Sequence, residues 1–136
     1  MERRTQPLAE NFDLFLRLLD EQVYRGRLFG DISTVTQFNR LPRPLQVLLE
    51  RNELHGRLIN GSDYPLPAVN VVIRMKSLVK AGFLDPEQGG LLSEIYDYNP
   101  LLFDFVLKRT LRLSGTGQRF PAALFSRRPE LNGGSD

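Results

Sequence analysis

The sequence contains no cysteine and no tryptophan, and it has a single histidine. Without cysteine, disulfide bonds and thiol chemistry are excluded, and the cellular compartment is not indicated. A structural zinc site takes its ligands mainly from cysteine and histidine, so one histidine predicts that no zinc is bound. The apolar residues are mainly leucine and phenylalanine, which favours a helical core.

Long apolar runs are also absent. No stretch approaches the roughly 20 apolar residues that a membrane-spanning helix requires. Residues 1–7 carry no apolar signal region, so we expect no secretory signal and predict an intracellular protein without membrane contact. The 136 residues, of which 41% are hydrophobic and 25% charged, are typical of one soluble domain.

The clearest local signals are two helix starts in the second half of the chain. Asp85 is followed by a proline and, three residues later, by Gln88, which is the order of a capping box. Asn99 is followed by Pro100, again a capping residue before a proline that only the first turn tolerates. Gly82 predicts the end of the helix that precedes Asp85.

The hydrophobic spacing predicts an all-α fold, a compact bundle of about five to six helices with an extended C-terminal tail. The main helices are expected over residues 8–25, 42–59, 67–81, from Asp85 onward, and 100–113. Residues 31–39 favour a short helix over a strand, because no convincing second strand is available to pair with them. The predicted organisation is a flexible N-terminus (1–7), a helical domain (8–113) and an extended tail (114–136).

The predicted core positions recur at helical spacing. They are Leu8, Phe12, Phe15, Leu16, Leu19 and Val23; Ile32, Val35 and Phe38; Leu45, Leu48, Leu49, Leu54 and Leu58; Val69, Val72, Ile73 and Val79, with Val71, Met75 and Leu78 beside them; and Leu102, Phe103, Val106, Leu107 and Thr110. Leu14 and Leu18 lie off the stripe of the first helix, which indicates a second contact for that helix.

Several apolar residues outside the predicted core are candidates for partner contacts. The loop at residues 60–67 places Tyr64 and Leu66 between prolines, although the same composition also fits a plain linker. The tail holds an apolar segment at residues 122–125 that suits docking. The predicted partner-binding residues are Leu14, Leu18, Tyr64, Leu66, Leu124 and Phe125.

Basic residues gather toward the C-terminus, although the formal net charge is only +2. Between Lys108 and Arg128 there are six lysines and arginines and no acidic residue. One interpretation is that the first of these complement a helix C-terminus. The alternative is a nucleic-acid interface. Its predicted residues are Arg74, Lys76, Lys80, Lys108, Arg109 and Arg112.

The sequence contains no pattern typical of catalysis. Glu94, Asp97 and Asp104 are carboxylates at helical spacing, which are usually surface charges, and no neighbouring motif positions a substrate. His55 has no serine, cysteine or aspartate motif near it and is interpreted as a surface or half-buried residue. Gly89 and Gly90 lack the longer pattern of a phosphate-binding loop. We therefore predict no enzymatic activity and no cofactor.

Two features resemble adenovirus structural proteins. Leu113-Ser-Gly-Thr-Gly117 and Leu131-Asn-Gly-Gly-Ser135 look like maturation-protease sites of that virus group. In addition, Leu78-Val79, Leu84, Pro86-Glu87-Gln88, Gly90-Leu91-Leu92 and Glu94 are similar in order to a helical stretch near the N-terminus of minor capsid protein IIIa. The resemblance implies a helical cement between capsomers, located in the virion, with a tail that is trimmed.

The absence of catalytic patterns and the surplus of apolar positions predict a non-catalytic structural or protein-interaction module. Its partners are other protein subunits, capsid proteins if the resemblance holds, or a second copy of the chain. The alternative is a regulatory protein that binds nucleic acid through the basic residues named above.

Overall fold

The computed structural model describes residues 8–65 and 73–127 and confirms the predicted all-α class. Six α-helices are joined by short 3-10 helices and two two-residue strands in the described ranges. In chain order the elements are α1 (Leu8–Asp20), a 3-10 helix (Gln22–Tyr24), β1 (Gly30–Asp31), a 3-10 helix (Phe38–Arg40), α2 (Arg43–Glu50), a 3-10 helix (Asn52–Arg57), β2 (Leu58–Ile59), α3 (Met75–Lys80), α4 (Pro86–Tyr98), α5 (Pro100–Thr110) and α6 (Ala122–Ser126).

The predicted starts of α4 and α5 are both confirmed. Asp85 and Gln88 form the capping box of α4, in which Gln88 Oε1 accepts a hydrogen bond from the Asp85 amide at 3.1 Å. Asn99 caps α5, because its Oδ1 accepts from the amides of Leu101 and Leu102 at 3.0 and 3.1 Å. Gly82 lies beyond the end of α3 at a φ of +85°, a conformation that glycine adopts without strain.

The prediction of a first helix over residues 8–25 is wrong at its C-terminal end. The α-helix ends at Asp20, and only a 3-10 turn follows it. The cause is Arg57, whose guanidinium donates hydrogen bonds to the carbonyl oxygens of Leu19, Tyr24 and Leu28. These hydrogen bonds hold the residues after α1 in a path that bends away from the helix axis. Val23, which was predicted to be buried, is exposed.

The predicted helix over residues 42–59 divides into three elements. Arg51 interrupts it with φ −81° and ψ 69°, so α2 is followed by a 3-10 helix and then by β2. The apolar positions of this region are nevertheless all buried, as expected: Leu45, Leu48, Leu49, Leu54 and Leu58.

The short helix expected over residues 31–39 is also wrong, because residues 33–36 form turns and only a 3-10 helix begins at Phe38. Gly30 and Asp31 form β1, which pairs in parallel with β2, and the Ile32 amide donates to the Ile59 carbonyl at 3.0 Å. β2, the strand that pairs with β1, lies within residues 42–59, where the apolar spacing predicts a helix. The sequence therefore did not reveal the pairing. A Cβ on Gly30 would lie 2.7 Å from Cζ of Phe15, which explains why a glycine occupies this strand.

The helix predicted over residues 67–81 begins only at Met75 in the described part of the chain. Arg74 has an extended backbone (φ −110°, ψ 99°), so it precedes the helix. Leu78, predicted at the edge of the buried stripe, is the residue of α3 that is fully buried. Residues 66–72, with Leu66, Val69, Val71 and Val72, lie outside the described residues.

The core lies between the helices and includes the two short strands. Three residues of α5 depart from the prediction: Leu102 is 48% exposed, whereas Lys108 is fully buried and Asp104, interpreted from sequence as a surface charge, is buried beside it. The buried apolar residues are Leu19, Ile32, Val35, Leu45, Leu48, Leu49, Leu54, Leu58, Leu78, Phe83, Leu84, Leu92, Phe103, Leu107, Leu111, Leu113, Phe120 and Leu124.

The prediction of an extended tail from residue 114 is wrong for its first half. Residues 114–117 form a turn, in which Gly117 N donates to Leu113 O at 3.0 Å and Leu113 N donates to Gln118 O at 2.9 Å. The chain then returns to the domain and buries Phe120 and Leu124 in the core. A five-residue helix is too short to produce a recognisable period, so the sequence did not reveal α6. The N-terminal residues 1–7 and the end of the tail, 128–136, lie outside the described residues.

Candidate protein-interaction surfaces

One exposed apolar surface follows α1. Leu14 and Leu18, predicted to lie off the buried stripe, are 51% and 44% exposed, while Leu19 faces the core. Residues four apart share a helix face, so the two leucines form a short apolar strip. Val23 and Tyr24, just after the helix, are also exposed. We call these four residues the α1 face.

A larger set of exposed apolar side chains lies on α4 and α5. Tyr98, the last residue of α4, is 91% exposed, the highest value among the exposed large apolar residues. We define the hairpin face as the exposed apolar residues of these two helices: Leu91, Tyr98, Leu101, Leu102 and Phe105. Isolated apolar residues on a surface are normal, whereas contiguous groups mark interaction sites.

Most of the hairpin face was not predicted from the sequence, although the sequence of α5 contains a signal for it. Six of the seven residues from Leu101 to Leu107 are apolar. The core-facing stripe of a helix spans little more than 100°, so six such residues cannot all face one core. The Tyr96 and Phe103 rings meet edge to face at 5.1 Å and join α4 to α5, while Leu101, Leu102 and Phe105 remain exposed.

The predicted partner-binding residues divide into three groups, apart from Leu66, which lies outside the described residues. Leu14, Leu18 and Tyr64 are exposed, as that role requires. Leu124 is buried, so its prediction as a surface contact is wrong. Phe125 is half-buried and lies edge to face with Phe105 at 5.5 Å.

The residues predicted for nucleic-acid binding do not form one free basic surface. Lys108 is buried and unavailable, so its assignment to a surface is wrong. Arg112 donates to Asp85 at 2.7 Å, and Arg109 lies 5.5 Å from the centre of the Phe125 ring. Lys76 and Lys80 are exposed on α3, one turn apart. Arg74 is also exposed.

The most unusual polar group is the buried ammonium of Lys108. Its Nζ donates to Asp104 Oδ2 at 2.8 Å, to the Gly61 carbonyl at 2.9 Å and to Asn60 Oδ1 at 3.1 Å. All three hydrogens of the ammonium are therefore used. The contacts tie α5 to the loop that follows β2.

Burial controls the electrostatics of this pair. Desolvation lowers the pKa of Lys108 and raises the pKa of Asp104, and the attraction between the two groups opposes both shifts. Perturbed pKa values occur at catalytic sites and also in structural ion pairs. Here the ammonium has no hydrogen left for a substrate, so the arrangement supports a structural role.

His55, interpreted from sequence as surface or half-buried, is buried. Its Nε2 lies 2.7 Å from the Leu48 carbonyl, and its ring meets Phe120 edge to face at 5.5 Å. Arg127 donates to the His55 carbonyl at 3.0 Å. The histidine thus helps to attach the C-terminal segment to the domain, a contact formed across 65 residues that sequence spacing could not indicate.

Within residues 8–65 and 73–127 no helix is both long enough and apolar enough to cross a bilayer. The same residues contain no group of three or more histidine, aspartate or glutamate side chains placed to hold a metal ion. Comparison of the chain with protein-family models, with curated proteins and with solved structures finds no match.

Proposed function

We propose that this protein is a non-catalytic interaction module that binds another protein subunit through the hairpin face. The observation that carries the proposal is the grouping of five large, exposed apolar side chains on α4 and α5. Burying such side chains against a partner contributes roughly 25 cal/mol per Å² of apolar surface, before the cost of association.

The two helices that carry the hairpin face, α4 and α5, are held in place by N-terminal caps and by a buried ion pair. Both have side-chain caps at their N-termini, and the Asp104–Lys108 pair attaches α5 to the rest of the domain. A surface held on capped, packed helices loses little conformational entropy on binding, which favours affinity. The hairpin face is therefore better suited to docking than the exposed Tyr64 in its loop.

A capsid or assembly role is the specific form of this proposal that the adenovirus resemblance supports. The segment that resembles minor capsid protein IIIa, Leu78 to Glu94, covers the end of α3 and the first part of α4. Leu91 of the hairpin face belongs to that segment. On this proposal the partner is a capsid protein, and the chain acts as cement in the virion.

Nucleic-acid binding, the alternative, has less support. Lys108 is buried and Arg112 is paired with an aspartate, so the basic surface is smaller than the sequence suggests. Lys76 and Lys80 remain as exposed charges for phosphate contacts.

The test compares two surface variants of the full chain. The hairpin variant is Leu91→Gln/Tyr98→Gln/Leu101→Gln, and the matched control is Leu14→Gln/Leu18→Gln on the α1 face. All substituted residues are exposed, so both variants should keep the melting temperature within a few degrees of wild type. The wild type and each variant are immobilised, and the proteins that they capture are identified with and without nuclease treatment. Light scattering measures the self-association of each protein.

We expect the wild type and the α1 control to retain the same partner after nuclease treatment, and the hairpin variant to lose it. If that partner is another copy of the chain, light scattering will show a dimer that the hairpin variant lacks. Unchanged binding by the hairpin variant would refute the proposal. Binding that disappears with nuclease would favour the nucleic-acid alternative instead.

A further inference from the structure

A cavity of about 200 Å³ lies between α1, α2 and the segment that follows β1. Phe12 and Phe15 form one wall, with ring centres 6.0 Å apart, and Leu48 of α2 lies among the other apolar lining residues. Arg40 and Asp31 bring opposite charges to the same cavity. The site is separate from the hairpin face and from the Lys108 ammonium.

Arg40 is the unusual group in this lining. Its Nε is buried, and it forms no hydrogen bond with any residue in the described ranges. Its guanidinium also forms none of the ion pairs found there, which distinguishes it from Arg43, a neighbour that donates to Asp13 at 2.7 Å. Arg40 is partly exposed and lines the cavity, and its guanidinium has no carboxylate partner among the described residues, so it is available to an anion.

The second charge in the lining restricts what that anion can be. Asp31 Oδ1 accepts from the amides of Ser33 and Gly61 at 2.8 and 3.0 Å, which keeps the carboxylate in place. A ligand with two or more negative charges would be repelled by it. The planar guanidinium fork can pair with a single carboxylate through two parallel hydrogen bonds.

The volume of the cavity limits the size of the apolar part of the ligand. A cavity of roughly 150 Å³ lined by apolar side chains holds one benzene molecule. The present cavity therefore accommodates one ring or a short branched chain, which would contact Phe12 and Phe15, together with a carboxylate group.

We propose that this cavity binds an apolar monocarboxylate, with the carboxylate on Arg40 and the apolar body against Phe12 and Phe15. Two sources share this chemistry: a free aryl or alkyl carboxylic acid, and the C-terminal carboxylate of a peptide that ends in an apolar residue. The guanidinium supplies charge-assisted hydrogen bonds, and the aromatic wall excludes water from them.

The experiment follows amide signals of the full-length, ¹⁵N-labelled protein by NMR during titration. The probes are 3-phenylpropanoate, the neutral 3-phenylpropanamide of the same shape, and an acetylated tripeptide with a C-terminal phenylalanine carboxylate. The variant is Arg40→Gln, and its matched control is Arg27→Gln, an exposed arginine whose side chain forms no hydrogen bond with the described residues.

We expect 3-phenylpropanoate to shift the amides of residues 30–35 with a dissociation constant of about 1 mM or tighter. Loss of the charged hydrogen bonds should weaken binding at least about ten-fold, both for the amide probe and for Arg40→Gln. Arg27→Gln should bind within about two-fold of wild type. The comparison of acid with amide uses wild-type protein only, so it decides the matter even if Arg40→Gln does not fold.

The tripeptide identifies the source of the ligand. If it binds more tightly than 3-phenylpropanoate, the occupant is a peptide C-terminus; if only the small acid binds, it is a free carboxylic acid. Equal affinity for the acid and the amide would overturn the proposal. So would shifts that lie away from residues 30–35, or the absence of shifts at about 10 mM probe.

Discussion

At the scale of single residues, the buried Asp104–Lys108 pair stands out because charged side chains are rarely fully buried. Removing two charges from water costs several kcal/mol for each ion, and their attraction offsets this only when the geometry is good. Lys108 meets that condition with three hydrogen bonds, whereas Asp104 Oδ1 has no partner among the described residues. The pair is therefore expected to be costly to break and inexpensive to replace completely.

A double-mutant cycle tests this expectation, with the free energy of unfolding measured in urea. Lys108→Met alone should lose about 3–5 kcal/mol, because it leaves the Asp104 carboxylate buried and unpaired. The double variant Asp104→Leu/Lys108→Met should recover more than half of that loss. The cycle also needs Asp104→Leu alone; if the losses of the two single variants simply add in the double variant, the pair is not coupled and this account is wrong.

A second ion cluster lies on the surface and affects how stability depends on pH. Arg51 holds Asp20 with two hydrogen bonds, at 2.5 and 3.0 Å, and Glu53 with one at 2.7 Å. Hydrogen bonding to this guanidinium lowers the pKa of both carboxyl groups. A lowered pKa in the folded state means that the unfolded chain binds protons first as the pH falls.

The stabilisation from these carboxylates should thus be present at neutral pH and be lost as the pH falls through their folded-state pKa values. We expect the wild type to exceed Arg51→Gln in unfolding free energy at pH 7, by no more than about 1 kcal/mol for each exposed pair. The difference should shrink toward zero by about pH 2. Arg27→Gln serves as the control, and a difference for Arg51→Gln that stays constant with pH would contradict the prediction.

At the scale of the helix, α4 contains two adjacent glycines whose surroundings differ. A Cβ on Gly89 would lie 3.3 Å from Cγ2 of Val79, whereas a Cβ on Gly90 would meet nothing within 4 Å. Glycine costs a helix roughly 1 kcal/mol relative to alanine. Only Gly89 has a packing reason to be small, because α3 lies directly against it.

We therefore predict that Gly90→Ala stabilises the protein by about 0.5–1 kcal/mol, since the backbone loses less entropy on folding. Gly89→Ala should gain less than Gly90→Ala, because its methyl group must displace Val79. Thermal unfolding of the two variants side by side provides the measurement. Equal stabilisation would show that α3 and α4 separate without cost at this point.

At the scale of the whole molecule, the main feature is the return of the C-terminal segment to the core. Phe120 lies against His55, and Leu124 is fully buried, so residues 118–127 belong to the domain. The protease-like sequence that begins at Leu113 coincides with the turn that precedes this segment. Cleavage there would separate two buried residues from the rest of the core.

Leu124→Ala should accordingly cost about 2–5 kcal/mol, the range for a buried leucine replaced by alanine. Leu91→Ala, an exposed leucine on α4, is the matched control and should change stability by no more than about 0.5 kcal/mol. Chemical denaturation of both variants measures the two losses. A Leu124→Ala variant as stable as the control would mean that the segment does not contribute to the core.

The sequence by itself determined the helical class, the starts of α4 and α5, and most of the buried leucines. Capping side chains and helical spacing act over four or five residues, so neighbouring residues are enough to specify them. The tertiary structure alone decided where α1 ends, that β1 pairs with β2, that Lys108 is buried and that Leu124 lies in the core. Each of these depends on a group 28 or more residues away, or on which face of a helix its neighbours leave uncovered. No local pattern carries that information.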